Sequence, residues 1–341
     1  MSFQRFNRAD DIVENQRTTI TSGLWTGGGT QLTKFYTASA AGEQTGSYLN
    51  IYNEDPTGSA SEVQFSLGYA HYQGSGSAGN STKSTLGRRQ SKALYGQFRN
   101  LLLPPNTNEF NFGGSDTQSN EDFYFISFNR ARMREKVNPG NWELKLDGAA
   151  NDIILIDDSS TTSGVTVDQG GRVFNIVSGS IADGITTEGT DDGAISTTSG
   201  SYGLFYPDLG VLLLNARKLD TQVTDISTTR STDTFDNNPR VLFNSLVQGA
   251  SFRARREEEI SSTNFFCRIN NKKFNFSSNP TFATASDGSL TQPTFFKDPQ
   301  TFVTQVGLYN DDNELLAVAK LSKPLLNSYA REAIIKVKLD F

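Results

Sequence analysis

Apolar residues recur at every second position early in the chain. Val63, Phe65, Leu67, Tyr69 and His71 fall on one face, and residues 47–53 (Ser-Tyr-Leu-Asn-Ile-Tyr-Asn) alternate in the same way, the mark of half-buried strands. Residues 18–36 read as a strand broken by Gly27, Gly28 and Gly29 and resuming at Leu32. The period then changes. Leu94, Tyr95, Phe98, Leu101 and Leu102 share a helical face, predicting a helix over 84–102 that Pro104 and Pro105 stop. Residues 121–132 contain the strongest strand signal, and 142–146 are expected to pair with it across the turn Asn138-Pro139-Gly140. Nearly continuous apolar runs at 153–157, 172–177 and 209–215 predict strands buried on both faces. A short helix is expected over 241–250 and a hairpin over 302–321 around Asn310-Asp311-Asp312-Asn313. The last strand sets Ile335, Val337, Leu339 and Phe341 against Lys336, Lys338 and Asp340.

These elements predict a mainly β protein, with sandwich-like antiparallel sheets, two short-to-medium helices and long Gly/Ser/Thr-rich loops. The expected organisation is an N-terminal arm (1–15), an N-terminal β/α lobe (16–117) and a larger β body (118–341) with a loop excursion at about 159–203. Composition supports strands and loops over helices. Ser, Thr and Asn make up 96 of 341 residues, and their side chains compete with the helix backbone for hydrogen bonds. With 24 Phe the chain is too aromatic to be disordered.

The scarce residues exclude more than the abundant ones. A single Cys (Cys267) rules out an intrachain disulfide, and a single His (His71) rules out two-His metal motifs. A net charge of −6 argues against nucleic acid as a partner. No apolar run approaches the ~20 residues of a membrane helix, and the polar opening residues lead us to expect no secretory leader.

Candidate chemistry is sparse. Residues 74–79 match GxGxxG, yet no βαβ unit follows, so a flexible loop is expected. His71 ends an apolar strand face and reads as a core-edge or interface residue. Cys267 shares a face with Phe265 and Ile269 and reads as a small buried hydrophobe. Asp157 with Asp158, and the loop group Asp183, Glu188, Asp191 and Asp192, are the carboxylates a hydrolase would need; their irregular loop spacing fits solvation better. Residues 253–259 (Arg-Ala-Arg-Arg-Glu-Glu-Glu) switch charge abruptly. On a helix Arg253 and Arg255 would meet Glu257 and Glu259, giving a solvated face or a subunit contact. No residue is nominated as catalytic, cofactor-binding or metal-binding, and no cofactor is expected.

Several stretches carry a resemblance. They are residues 16–28 (Gln-Arg-Thr-Thr-Ile-Thr-Ser-Gly-Leu-Trp-Thr-Gly-Gly), 129–142 (Asn-Arg-Ala-Arg-Met-Arg-Glu-Lys-Val-Asn-Pro-Gly-Asn-Trp), 201–210 (Ser-Tyr-Gly-Leu-Phe-Tyr-Pro-Asp-Leu-Gly), 260–282 and 306–324. Together the chain resembles a virion structural protein family of T-even-like contractile-tailed phages of marine cyanobacteria. The resemblance is densest after Ile260 and lapses over 159–200. The layout from Tyr309 to Phe341 is similar to the end of baseplate wedge subunits. This implies a non-enzymatic building block of the tail baseplate, located in the virion and assembled in the host cytoplasm. Its partners would be other virion proteins and a second copy of itself, with neither nucleic acid nor membrane. The N-terminal arm is expected to dock on a neighbour. The alternatives are a neck or capsid-surface structural protein, or a carbohydrate- or receptor-binding module, for which Tyr36, Tyr52, Tyr72 and Tyr95 fall on different elements. A hydrolase using Asp157 or Asp158 comes third.

Overall fold

The computed structural model describes residues 4–7, 11–38, 48–72, 88–115, 120–148, 152–161, 166–185, 195–196, 200–220, 223, 238–284 and 286–341. In chain order the strands are β1 (Val13–Gly23), β2 (Gln31–Leu32), β3 (Tyr36–Thr37), β4 (Tyr48–Tyr52), β5 (Val63–His71), β6 (Asp122–Phe128), β7 (Lys136–Leu146), β8 (Ile153–Asp157), β9 (Thr166–Asp168) and β10 (Gly171–Ser180). They continue as β11 (Gly184–Ile185), β12 (Ile195–Ser196), β13 (Gly200–Ser201), β14 (Gly203–Tyr206), β15 (Val211–Asn215), β16 (Ser251–Ile269), β17 (Thr301–Tyr309), β18 (Leu315–Asn327) and β19 (Ala333–Asp340). The helices are α1 (Arg88–Leu102), the single turns α2 (Arg130–Met133) and α3 (Ala216–Leu219), and α4 (Asn238–Gly249). The protein is therefore mainly β with large antiparallel sheets, as the alternation predicts. The two longer helices stand where the 3.6-residue period puts them; α2 and α3 are additional.

The chain divides into two compact units, one of residues 1–19 and 259–341, the other of residues 20–258. The boundary expected near 117 is not where the contacts divide. β5 pairs with β6 across it over seven residues, from Phe65↔Phe128 to His71↔Asp122, which makes one sheet of both sides.

In the 20–258 unit the strand order runs β16-β7-β8-β10-β14-β15-β6-β5-β4-β3. Although β16 and β5 are far apart in that order, Phe252 and Phe65 meet with ring centroids 5.4 Å apart. Trp25 packs on Phe252 at 5.0 Å and donates its indole N–H to the Phe252 carbonyl at 3.0 Å. The sheet thus folds over itself around an aromatic core, the sandwich-like arrangement expected. Fully burying each such ring contributes about 1.5–3 kcal/mol. α4 closes this core with Leu242 and Leu246. It approaches β7 so closely that a Cβ on Gly249 would lie 2.3 Å from the Lys145 carbonyl oxygen. α1 covers a second core on the opposite face, laying Tyr95 and Leu102 over Phe123, Phe125 and Leu213.

Three expectations are corrected. β6 does not pair with β7. Asn129 caps α2 by accepting from the Ala131 N–H, Arg134 turns the chain with φ 60°, and β7 leaves to pair with β8 and β16. The excursion over 159–203 is less loop-like than expected: beside β10, which stands where the apolar run at 172–177 puts a strand and is held between β8 and β14, it includes β9, β11, β12 and β13. Residues 253–259 are a strand, not a helix, and partners on β7, at the end of α2 and on β1 take up the charges: Lys136–Glu257 at 3.2 Å, Arg134–Glu258 at 3.3 Å and Arg17–Glu259 at 3.2 Å.

In the other unit, β19 pairs with the second half of β16, from Ile269↔Ala333 to Ser262↔Asp340. The β17–β18 hairpin closes on it, with Leu308, Val306, Ala317 and Ala319 against Ile335, Val337 and Ile269. The N-terminal arm lies on its own chain. The Phe266 N–H donates to the Ile12 carbonyl at 3.1 Å, Thr263 bonds Asn15 at 2.9 Å, and Phe6 meets Phe265 at 6.0 Å. These contacts hold the described part of the arm along β16 and leave much of it exposed, Phe6 at 46% and Ile12 at 63%.

Candidate functional site

The residues nominated by chemistry are drawn into the fold. Asp157 is buried and accepts from two backbone N–H groups, Gly140 at 2.8 Å and Ser159 at 3.0 Å. Burial pushes its carboxyl pKa up, against the pull of the Ser159 and Gly140 bonds. Asp158 accepts from the backbone and side-chain N–H groups of Asn175, both at 2.9 Å. The pair ties β8 to β7 at Gly140 and to β10. Asp183 accepts from the Ser180 hydroxyl at 2.8 Å and holds the turn between β10 and β11. Glu188, Asp191 and Asp192, like residues 74–79, lie outside the described residues. His71 is buried at the end of its strand face, 6.3 Å from the Tyr69 ring. Cys267 is half-buried beside Phe265 on the apolar side of β16, and burial raises its thiol pKa, with the Asp11 charge adding to the rise. Among the described residues no three His, Cys, Asp or Glu side chains gather to hold a metal ion.

One buried cation escaped the sequence reading. Lys218 is 3% exposed, donates to the Gly200 carbonyl at 2.8 Å and sits 4.3 Å from the centre of the Tyr202 ring. Asn215 caps the same turn, accepting from the Arg217 and Lys218 N–H groups. A lysine after a run of leucines gives no sequence signal of such a role.

The unusual surface belongs to the 1–19/259–341 unit. Of 21 large hydrophobic side chains exposed among the described residues, 14 lie in it, although it holds under a third of the chain. The reason is visible in the β17–β18 register. Pairs Val303↔Leu325, Val306↔Ala319 and Leu308↔Ala317 point to the core, so Phe302↔Leu326, Gln305↔Lys320 and Gly307↔Val318 point away from it. The outward face is apolar at Phe302↔Leu326 and again around Gly307↔Val318, with Gln305↔Lys320 between them, and it is the inward face that is buried. Phe302 is 62% exposed, Leu316 66% and Val318 52%. Leu315 and Tyr309 lie across Gly307, where a Cβ would come within 2.9 Å of the tyrosine ring.

No family model matches this chain, and no match is found among curated proteins or solved structures.

Proposed function

We propose that the chain is a non-enzymatic virion structural protein of a contractile-tailed phage, a baseplate component that acts by protein–protein assembly, including with a second copy of itself. The observation that carries this reading is the uncovered apolar face of the β17–β18 hairpin. Exposed apolar surface gathered on one face in this way marks an interaction site. Burying the exposed half of Phe302, Leu315, Leu316 and Val318 gives on the order of 1 kcal/mol each. The sum falls at the low end of what association costs in lost freedom, so the hairpin is the anchor of a larger contact. The resemblance of residues 260–282 and 306–324 to phage virion proteins falls in the same unit.

The test replaces Leu316 and Val318 with lysine. Both side chains are outside the core, so the double variant is expected to keep the wild-type circular dichroism and melting temperature while failing to incorporate into phage tails in a complementation assay. Normal incorporation of the variant sinks the hairpin as anchor. Absence of the wild-type chain from the distal tail in an electron-microscopy map of the virion sinks the baseplate reading.

A further inference from the structure

α1 covers only part of its sheet face. Strand alternation puts Tyr48, Asn50 and Tyr52 of β4 on that face. Cross-strand partners extend the rows: Asn50↔Ser66↔Ser127 in one, Tyr48↔Gly68↔Phe125 in the next, and Tyr52↔Tyr36 toward β3. Partners directly opposite share a face. Gly68 stands between Tyr48 and Phe125 and contributes no side chain, which leaves a hollow between a half-exposed tyrosine and the helix. A groove of about 260 Å³ lies there, bounded by Tyr48, Ser66, Phe125 and Ser127 of the sheet and by Gln97, Phe98 and two leucines of α1.

We propose that this groove, with the tyrosine row beside it, binds the neutral hexopyranose units of a glycan. Three features on one rigid surface point to that ligand class. Among the described residues no charged side chain lines the groove, so a phosphate, a carboxylate or an ammonium group finds no counter-charge there. The Phe98 and Phe125 rings, 4.7 Å apart, and the exposed Tyr48 ring supply apolar area for the C–H face of a sugar. Hydroxyl and amide groups stand at its edge. Ser66 donates to Asn50 Oδ1 at 2.7 Å, which orients the Asn50 amide, and the Gln97 and Ser127 side chains bond no described residue. A sugar needs this mixture of donors and acceptors around an apolar floor, whereas an apolar peptide anchor would leave them unpaired on burial, at about 1–3 kcal/mol each.

Size and rigidity agree. The hollow is smaller than the ~300–1,000 Å³ of drug-sized sites, so it takes one ring, with the neighbouring sugars lying toward Tyr52 and Tyr36. The opposite sides of these strands, Leu49, Ile51, Phe65, Leu67 and Ile126, are buried in the main core, so the site is held before any ligand arrives. Tyr36 and Tyr52, which fall on different elements in the sequence, are brought side by side by the β3–β4 pairing.

The experiment passes the full-length protein over an array of neutral oligosaccharides (glucans, mannans, galactans and chitin fragments), followed by titration calorimetry. Retention of at least one neutral glycan is expected, little changed between 0.05 and 0.5 M salt, and weakened about tenfold or more by Tyr48→Ala and by Gln97→Ala. Both residues are exposed, so the variants fold, which circular dichroism checks. The Leu316→Lys/Val318→Lys variant is expected to bind glycan as the wild type does, separating this site from the assembly surface. Silence across the array, retention of anionic glycans alone, or neutral binding that survives in the Tyr48→Ala/Gln97→Ala double variant overturns the proposal.

Discussion

Arg172 clamps Asp208. Its backbone N–H donates to Oδ2 at 3.0 Å, its Nη2 to Oδ1 at 2.8 Å and its Nε to Oδ1 at 3.2 Å, joining the start of β10 to the turn between β14 and β15. Gly171 makes room for it, since a Cβ there would lie 2.8 Å from Asp208 Oδ2. Burial alone raises the Asp208 pKa, but the Arg172 bonds and charge outweigh it and hold the carboxyl below its usual range. A depressed folded pKa means the stabilisation is fully present above the unfolded value of about 3.9 and is lost as pH falls through the folded one. Asp208→Asn is expected to cost about 1–2 kcal/mol at pH 7, and its deficit against the wild type should shrink as pH drops below about 4. Urea melts at pH 7 and pH 3 check this; an equal deficit at both refutes it.

Asn264 offers a stabilising change. It is fully buried on β16, and neither its Oδ1 nor its Nδ2 has a hydrogen-bond partner among the described residues. An unpaired buried amide costs about 1–3 kcal/mol. Asn264→Val, which suits a strand, is expected to raise the melting temperature by a few degrees, and Asn264→Asp to lower it. Calorimetry of the full chain decides; a Val variant that melts earlier means the amide is satisfied after all.

Cys267 should react slowly. Burial first, and the Asp11 charge second, push its thiol pKa up, leaving less thiolate at pH 8. Labelling by a disulfide reagent is expected to be slower in the native protein than after denaturation, and somewhat faster in Asp11→Asn. Equal native and denatured rates contradict the placement.

How far the sequence speaks depends on which interaction decides. Val63 to His71 alternate because one side of β5 faces the main core, and that much is local. Leu94, Tyr95 and Phe98 announce α1 for the same reason. The partner of a strand is not local: Asn138-Pro139-Gly140 looks like a hairpin turn, yet Gly140, with φ 76°, donates to Asp157 within a strand that goes elsewhere. The charges of 253–259 suit a helix face equally well until Lys136, Arg134 and Arg17 are brought opposite them. The exposed apolar surface is half legible. The 302–321 hairpin could be read, but which of its two apolar faces is left open follows only from what β16 and β19 cover. The groove at Tyr48 depends on Gly68 falling between two particular side chains, a matter of register across three strands.

The division of the chain sets an order of events. Every strand of the 20–258 unit has been synthesised by residue 258, whereas the other unit needs β1 and β19, more than three hundred residues apart in the chain, on either side of β16. Domains fold as units during synthesis, so the contiguous body forms first and gathers the two distant segments, which shortens the loop that has to close. The apolar face of the β17–β18 hairpin is then among the last surfaces to appear. The hairpin also precedes β19, so Val306 and Leu308 wait uncovered until Ile335 and Val337 arrive to meet them.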